Sequence, residues 1–189
     1  MYASGGNGHL RVLKSSALGT HTTPTADNQG DGIVTSRQVG NSTVSISASS
    51  AETTIISGYT SPAYELQNGT VLRIKFTGIM NTLASTSTVT WRVKLGGTTI
   101  LTSNSQQSGS GADLHFKGEI EIVGTSDTAQ RSSLSILGRI AGSTAAPTYG
   151  TVEYGTSSID MRIDRALTVT AEFSDGSDMD VFFNTVEIL

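Results

Sequence analysis

The residues that could support acid–base, nucleophilic or metal chemistry are few and scattered along this chain. Its histidines are His9, His21 and His115, and it contains no cysteine, which excludes thiol nucleophiles, disulfides and thiolate zinc sites. The zinc spacing His-Glu-x-x-His and the nucleophile motif Gly-x-Ser-x-Gly do not occur. Glu119 and Glu121 share one face of a predicted strand and could form the acid pair of a hydrolase. Two acids on an outward strand face are usually only solvated, so we expect no enzymatic activity.

Two acidic turns, residues 27–32 and 175–180, place oxygen ligands around a glycine, as calcium loops do. Neither has the Asp-x-Asp-x-Asp-Gly spacing or a trailing glutamate that could bind bidentately. Ordinary turns explain both segments better. We therefore expect no metal and no cofactor.

Four basic residues out of twelve Lys and Arg fall on the outward faces of two consecutive predicted strands. They are Arg73, Lys75, Arg92 and Lys94. If the two strands are neighbours, these side chains form a basic stripe that could contact an acidic partner subunit. The alternative is a solvated sheet face, neutralised by glutamates on the following strand.

The overall charge argues against phosphate as the main ligand. The formal net charge is −4, and nucleic-acid-binding proteins normally show clustered Lys and Arg, so we expect no nucleic-acid partner. No apolar run is long enough for a signal-peptide core or a transmembrane helix. We expect a chain that is made in the cytosol and has no membrane partner.

The clearest structural element is a β-hairpin over residues 88–101. Its apolar and polar residues alternate with the two-residue period of a half-buried strand, and Gly96-Gly97 supplies the positive φ angles of a two-residue turn. Further alternating strands are predicted over 43–47, 53–57, 70–77, 113–123, 133–140, 166–173 and 179–189. Because no helical periodicity is sustained, this pattern predicts an all-β antiparallel sandwich with an aromatic core. The core is expected to include Trp91, Phe76, Phe116, Phe173 and Phe183.

Several segments are less regular. Residues 58–62 and 144–150 are predicted to be loops. Met161 and Ile163 suggest a weak strand between the second of these loops and the predicted strand 166–173. In the last strand the apolar parity changes between Val181 and Val186. A β-bulge near 184–185 would restore one facing, since an inserted residue flips every later side chain.

Residues 1–40 differ from the rest because they are rich in Gly, Thr, Asn and Ser. Such a segment cannot bury enough apolar area on itself to offset its ordering entropy, so it is either a disordered tail or an arm that orders against a partner. Its one amphiphilic patch, where docking is expected, consists of Leu10, Arg11, Val12, Leu13 and Lys14. We therefore divide the chain into an extended N-terminal arm, 1–40, and a β-sandwich domain, 41–189.

Four segments carry a family resemblance: ETTIIS at 52–57, LQNGTVLRIKFTG at 66–78, TWRVKLGGTTIL at 90–101 and NTVEIL at 184–189. In this order they resemble jelly-roll structural proteins of tailed bacteriophages, a group that includes capsid decoration (cement) proteins and tail-fibre domains. The resemblance covers about residues 50–189. It implies a jelly roll of two antiparallel sheets, assembly as a homotrimer, and no enzymatic activity.

The first functional hypothesis is therefore a virion structural protein that decorates and cements a phage capsid, with the major capsid protein and itself as partners. Its expected location is the capsid surface. The alternative is a tail-fibre or spike module that binds host glycans, for which exposed tyrosines such as Tyr59, Tyr64, Tyr149 and Tyr154 would be the stacking residues.

Overall fold

A computed structural model of the chain describes residues 36–40, 43–47, 49–81, 88–103, 106–107, 113–140, 149–175 and 177–189. These residues contain twelve β-strands: β1 Ser36–Gly40, β2 Val44–Ile46, β3 Thr53–Ser61, β4 Val71–Asn81, β5 Thr88–Leu95, β6 Thr98–Thr102, β7 Gln106–Gln107, β8 Leu114–Ser126, β9 Ala129–Ile140, β10 Tyr149–Ser157, β11 Arg165–Phe173 and β12 Asp178–Ile188. Within the described ranges, no helix has the length and apolarity needed to cross a membrane.

The strands form two antiparallel sheets that pack face to face, which confirms the predicted all-β sandwich. The seven-stranded sheet has the order β1-β12-β4-β8-β9-β10, with β2 beside β12, and the five-stranded sheet has the order β3-β11-β5-β6, with β7 beside β5. Both β1 and β2 pair with β12, so they act as one interrupted edge strand.

The strand order is that of a jelly roll. If the interrupted first strand, β3, β4, β5, β6, β8, β11 and β12 are lettered B to I, the sheets read B-I-D-G and C-H-E-F. The β9–β10 hairpin extends the first of these sheets beyond β8, and β10 packs against β6 at the edge of the second sheet. The extension is an addition to the eight-stranded pattern.

The predicted hairpin is confirmed in detail. Strands β5 and β6 flank Gly96 and Gly97, whose φ angles are 57° and 82°. Every second residue of β5 points into the sandwich and is fully buried. The apolar residues that alternate in the sequence of β5 are therefore the residues whose side chains are buried in the core.

The centre of the core is an aromatic cluster that joins the two sheets. Trp91 from β5 lies 5.6 Å from Phe76 and 5.5 Å from Phe116, measured between ring centroids, and the two phenylalanines are 6.2 Å apart. Tilted and edge-to-face pairs of this kind add to the free energy gained from burial. Phe173 is also buried, whereas the side chain of Phe183 lies outside the described residues.

Three local predictions need correction. Residues 58–61 continue β3 through Gly58, which has φ 90°, and so do not form a loop. Residues 149–157 form β10, whereas the predicted weak strand around Met161 is a loop that buries the Met161 side chain. The bulge in β12 lies between Val181 and Phe183, slightly before the predicted site, and it restores the inward facing of Val186.

The sandwich begins earlier than the predicted boundary at residue 41. All five residues of β1 pair with β12, from Ser36 opposite Ile188 to Gly40 opposite Asn184. These residues therefore belong to the sandwich. The preceding residues, 1–35, lie outside the described part of the chain.

Candidate interaction surfaces

The four predicted contact residues of the sandwich do not form one stripe. Arg73 and Lys75 are on β4 in the seven-stranded sheet, whereas Arg92 and Lys94 are on β5 in the five-stranded sheet. The chain crosses from one sheet to the other between β4 and β5, so these outward faces point to opposite sides of the molecule. The two strands are not neighbours, so the condition for a continuous basic stripe is not met.

On the seven-stranded sheet, Arg73 is neutralised from the neighbouring strand. Its Nε and Nη2 donate to Glu121 Oε1 at 3.0 and 2.8 Å, and its Nε lies 3.3 Å from Glu119 Oε1. The register places Lys75 directly across from Glu119. This surface matches the alternative of a charge-compensated, solvated face, in which single exposed ion pairs add little stability.

On the five-stranded sheet, the basic residues form a second cluster of ion pairs with glutamates. Arg92 Nη1 lies 2.6 Å from Glu172 Oε2 and 3.6 Å from Glu52 Oε2, and Lys94 forms an ion pair with Glu52. Hydrogen bonds from Lys94 and from the Thr170 hydroxyl lower the pKa of Glu52 below its ordinary value. A partner that bound Arg92 or Lys94 would have to compete with these carboxylates, so contact through them stays a prediction.

The predicted docking patch of the arm, residues 10–14, lies outside the described residues. The described chain begins at Ser36 on the edge of the seven-stranded sheet, where β1 pairs with β12.

An exposed apolar surface lies on the β9–β10 extension, and sequence reasoning missed it. Leu137, Val152 and Tyr154, here called the β9–β10 strip, are 41%, 55% and 80% exposed. Leu137 pairs with Gly150 and Val152 with Ser135, so the three side chains occupy adjacent rows of one outer face. The alternation of β-branched and aromatic residues in TVEYGT, 151–156, was the available signal.

The strip is bordered by polar and charged residues. The pairing of β8 with β9 sets Lys117 next to Leu137 and Glu119 next to Ser135. A depression of about 470 Å³ runs between these strands and β4. Apolar patches rimmed by polar residues are typical of protein contact surfaces.

A second surface is formed where loops meet at one end of the sandwich. This loop end comprises residues 62–70, 126–128 and 158–164. Backbone hydrogen bonds join its parts: Tyr64 N–H donates to Met161 O at 2.6 Å, Met161 N–H to Asp127 O at 2.7 Å, and Gly69 N–H to Gly124 O at 2.8 Å. The three loops therefore form one connected structure.

A polar depression of about 630 Å³ opens between these loops. Its lining consists entirely of polar side chains: Gln67, Asn68, Thr125, Ser126, Asp127, Thr128 and Arg162. Beside it, Arg162 Nε and Nη2 donate to the two Asp160 oxygens at 2.9 and 3.0 Å. Hydrogen bonding to Arg162 lowers the pKa of Asp160 to about 2, and the same contact raises the pKa of Arg162.

Tyr64 at the loop end has a strained backbone. Its φ angle is 65°, a left-handed conformation that a bulky side chain rarely adopts, and its side chain is 40% exposed. Its side chain is near that of Arg162. Strained, exposed residues of this kind often mark functional sites.

Beneath the loop end lies a buried acidic pair that sequence reasoning did not identify, and it contains Tyr59, so the expectation that Tyr59 is an exposed stacking residue is wrong. The Tyr59 hydroxyl donates to Glu65 Oε2 at 2.6 Å, and Glu65 is only 4% exposed. Burial raises the pKa of Glu65, since the charged carboxylate loses its hydration, and it raises the pKa of Tyr59 for the same reason.

No group of three His, Cys, Asp or Glu side chains among the described residues is placed to hold a metal ion. Of the groups considered for chemistry, Glu119 and Glu121 both contact Arg73 on the outer face, and His115 is exposed on the same face. His9 and His21 lie outside the described residues.

No protein-family model matches the sequence, and no curated protein matches it either. Among solved structures, a Lotus tetragonolobus seed lectin is similar at a TM-score of 0.42 and 9% identity, with 85% of this chain and 95% of the lectin covered. The structure of infectious bursal disease virus, Gt strain, is similar at a TM-score of 0.30 and 14% identity, with 82% of this chain and 42% of that chain covered. Likeness at these TM-scores carries no argument about family or function. The fold assignment is therefore based on this chain's own strand order, which is that of a jelly-roll sandwich.

Proposed function

We propose that this protein is a virion structural protein that decorates and stabilises a bacteriophage capsid as a homo-oligomer, a trimer. The jelly-roll topology and the resemblance of residues 52–57, 66–78, 90–101 and 184–189 to phage structural proteins support this proposal. Its partners are other copies of itself and the major capsid protein. The arm, including residues 10–14, supplies contacts to the particle.

The mechanism is mass action. A subunit that binds only the mature lattice stabilises that lattice by its binding free energy. Joining subunits into an oligomer makes later contacts intramolecular, so modest individual contacts add up to strong attachment.

The observation that carries the proposal is the β9–β10 strip. Three large apolar side chains are exposed on one face of a sheet extension that the eight-stranded jelly roll itself does not require. Contacts between copies of a permanent assembly are more apolar than other surfaces, so this strip is assigned to the contact between subunits.

Measuring the oligomeric state tests the assignment of the β9–β10 strip to the contact between subunits. Light scattering of the full chain should give the mass of a trimer, and V152K/Y154K, which places charges in the strip, should give a folded monomer. The control is I163K, because Ile163 is 54% exposed but lies at the loop end. A stable monomer of the unmodified chain, both alone and on particles, would contradict the proposal.

Location on the virion is tested separately by electron microscopy of particles made with and without this protein. The proposal expects density to disappear from the head surface and the particles to become less stable to heat. Loss of density from the tail alone would refute a capsid role and favour a tail-fibre module.

A further inference from the structure

We propose that the depression at the loop end is a binding site for neutral carbohydrate. This inference goes beyond the proposed structural role and rests on different residues. The lining combines two side-chain amides, three hydroxyls, one carboxylate and one guanidinium. Each sugar hydroxyl both donates and accepts hydrogen bonds, so a mixed set of donors and acceptors suits a sugar better than a purely anionic or purely apolar ligand.

The lining is held in place before any ligand arrives. Gly124 allows β8 to approach the 66–68 backbone closely, because a Cβ there would lie 2.3 Å from Gln67 O and 2.5 Å from Leu66 O. Gly124 N–H in turn donates to Thr70 O at 3.0 Å, which fixes the turn that carries Asn68. A preorganised site loses less conformational entropy when it binds.

The opposite wall is fixed in the same way. The backbone of Asp127 accepts from Met161 N–H at 2.7 Å, and the Thr125 hydroxyl donates to Ala129 O at 3.0 Å. The Asp127 carboxylate is therefore presented by a turn that is anchored at both ends. Arg162 is oriented by its two contacts with Asp160.

The charges favour a neutral ligand over an anionic one. The contacts with Asp160 neutralise Arg162 and occupy two of its five N–H donors, so the guanidinium can still donate without attracting an anion strongly. Asp127 contributes a further negative charge to the lining. Phosphates and acidic sugars would be repelled by this carboxylate, whereas a sugar hydroxyl can donate to it.

Tyr64 is not among the residues that line the depression, but it is near Arg162, which does line it, and we assign it as the aromatic surface beside the site. Its amide is held by Met161 O, the residue before Arg162, and its ring is partly exposed in spite of the unfavourable φ angle. The C–H faces of sugar rings pack on exposed aromatic rings, which accounts for a tyrosine at a position where glycine would be less strained.

The test is a titration of the ¹⁵N-labelled full chain, followed by NMR, with glucose, galactose, mannose and N-acetylglucosamine in turn. We expect at least one of them to bind with millimolar affinity and to shift amide signals within 66–69, 125–128 and 161–163. N-acetylneuraminic acid and inorganic phosphate should bind more weakly. Absence of shifts with all four neutral sugars, shifts elsewhere only, or stronger binding of the anions would overturn the proposal.

Variants assign the binding to the depression. D127N keeps the side-chain shape but removes the charged acceptor, and it should weaken sugar binding about tenfold or more. N68A, at an exposed turn position, is a second variant if D127N is poorly folded, and it should also weaken binding. The control E119Q changes a carboxylate on the outer sheet face and should leave binding unchanged. Equal affinity of D127N, N68A and the unmodified chain would refute the assignment, whereas oligomeric state and capsid attachment are unaffected by this result.

Discussion

The packing of the sandwich makes a sharp prediction about Gly118. In the pairing of β4 with β8, Phe76 lies opposite Gly118 and Gly78 lies opposite Phe116, so each aromatic ring covers the glycine across from it. A Cβ on Gly118 would lie 2.2 Å from Phe76 Cζ and 2.6 Å from Cε1 and Cε2. Gly118→Ala therefore requires the Phe76 ring to move.

The cost of this movement follows from the neighbours of the ring. Phe76 packs against Trp91 and Phe116 in the centre of the core, so displacing it disturbs both of these aromatic contacts. Overpacking of this kind typically costs about 1–3 kcal/mol of unfolding free energy. For a domain of this size, that corresponds to a fall in Tm of about 2–12 °C.

Thermal and urea unfolding, followed by circular dichroism at one fixed protein concentration, measure the effect. The matched control is Gly150→Ala, since a Cβ there meets its nearest atoms at 3.5 and 3.6 Å and should leave stability unchanged or slightly raised. Phe76→Leu should cost less in the Gly118→Ala background than alone, because it removes the clashing ring atoms. If the two alanine variants are equally stable, the reciprocal ring-over-glycine packing is not what requires Gly118.

Three further predictions concern the acidic pair, the first strand and the strained tyrosine. Burial holds the folded-state pKa of Glu65 above its ordinary value of 4.5, so the stability that protonated Glu65 contributes should be fully present below pH 4.5 and be lost as pH rises through the folded-state pKa. Urea titrations of Glu65→Gln should therefore show a flatter dependence of stability on pH, with relatively higher stability at neutral pH. An unchanged pH profile would contradict this. Deletion of 1–35 should leave Tm unchanged. Deletion of 1–40 also removes the pairing of β1 with β12, so calorimetry should show a loss of about 2 kcal/mol or more of unfolding free energy. Equal Tm values for the two deletions would show that β1 does not unfold cooperatively with the rest of the sandwich. Tyr64→Gly relieves a left-handed backbone and should raise stability by up to about 1 kcal/mol in urea unfolding while weakening sugar binding; a large loss of stability would show that the ring supports the fold instead.

The parts of the fold that sequence could predict are those that depend on local pattern. In β5, Val89, Trp91, Val93 and Leu95 are all fully buried, as their two-residue period predicts. The turn at Gly96 was predictable because two consecutive positive φ angles are adopted most easily by glycine, which has no Cβ. The sandwich class followed from counting such strands.

Strand β10 could not be predicted in the same way. Its inward positions are Thr151, Glu153 and Gly155, and its apolar side chains at Val152 and Tyr154 point outward. Its existence depends on pairing with β9 and on packing against β6, which allow no larger residue than glycine at 155, where a Cβ would lie 2.8 Å from Ile100 O. The alternation in 151–156 is visible in the sequence, but the outward facing of the β9–β10 strip depends on this pairing and packing.

Local sequence pattern is enough to predict which residues of each clear strand face inward, because side chains alternate across a strand whatever it pairs with. Which strands are neighbours depends on long-range packing, since the consecutive strands β4 and β5 lie in different sheets whereas β5 and β6 share one. The assignment of the strands to two sheets separates Arg73 from Arg92, and it places each of them beside a glutamate of its own sheet. It also brought Asn68, Asp127 and Arg162 to one depression, although long stretches of sequence separate them, because strand ends from different parts of the chain meet at the same end of the sandwich.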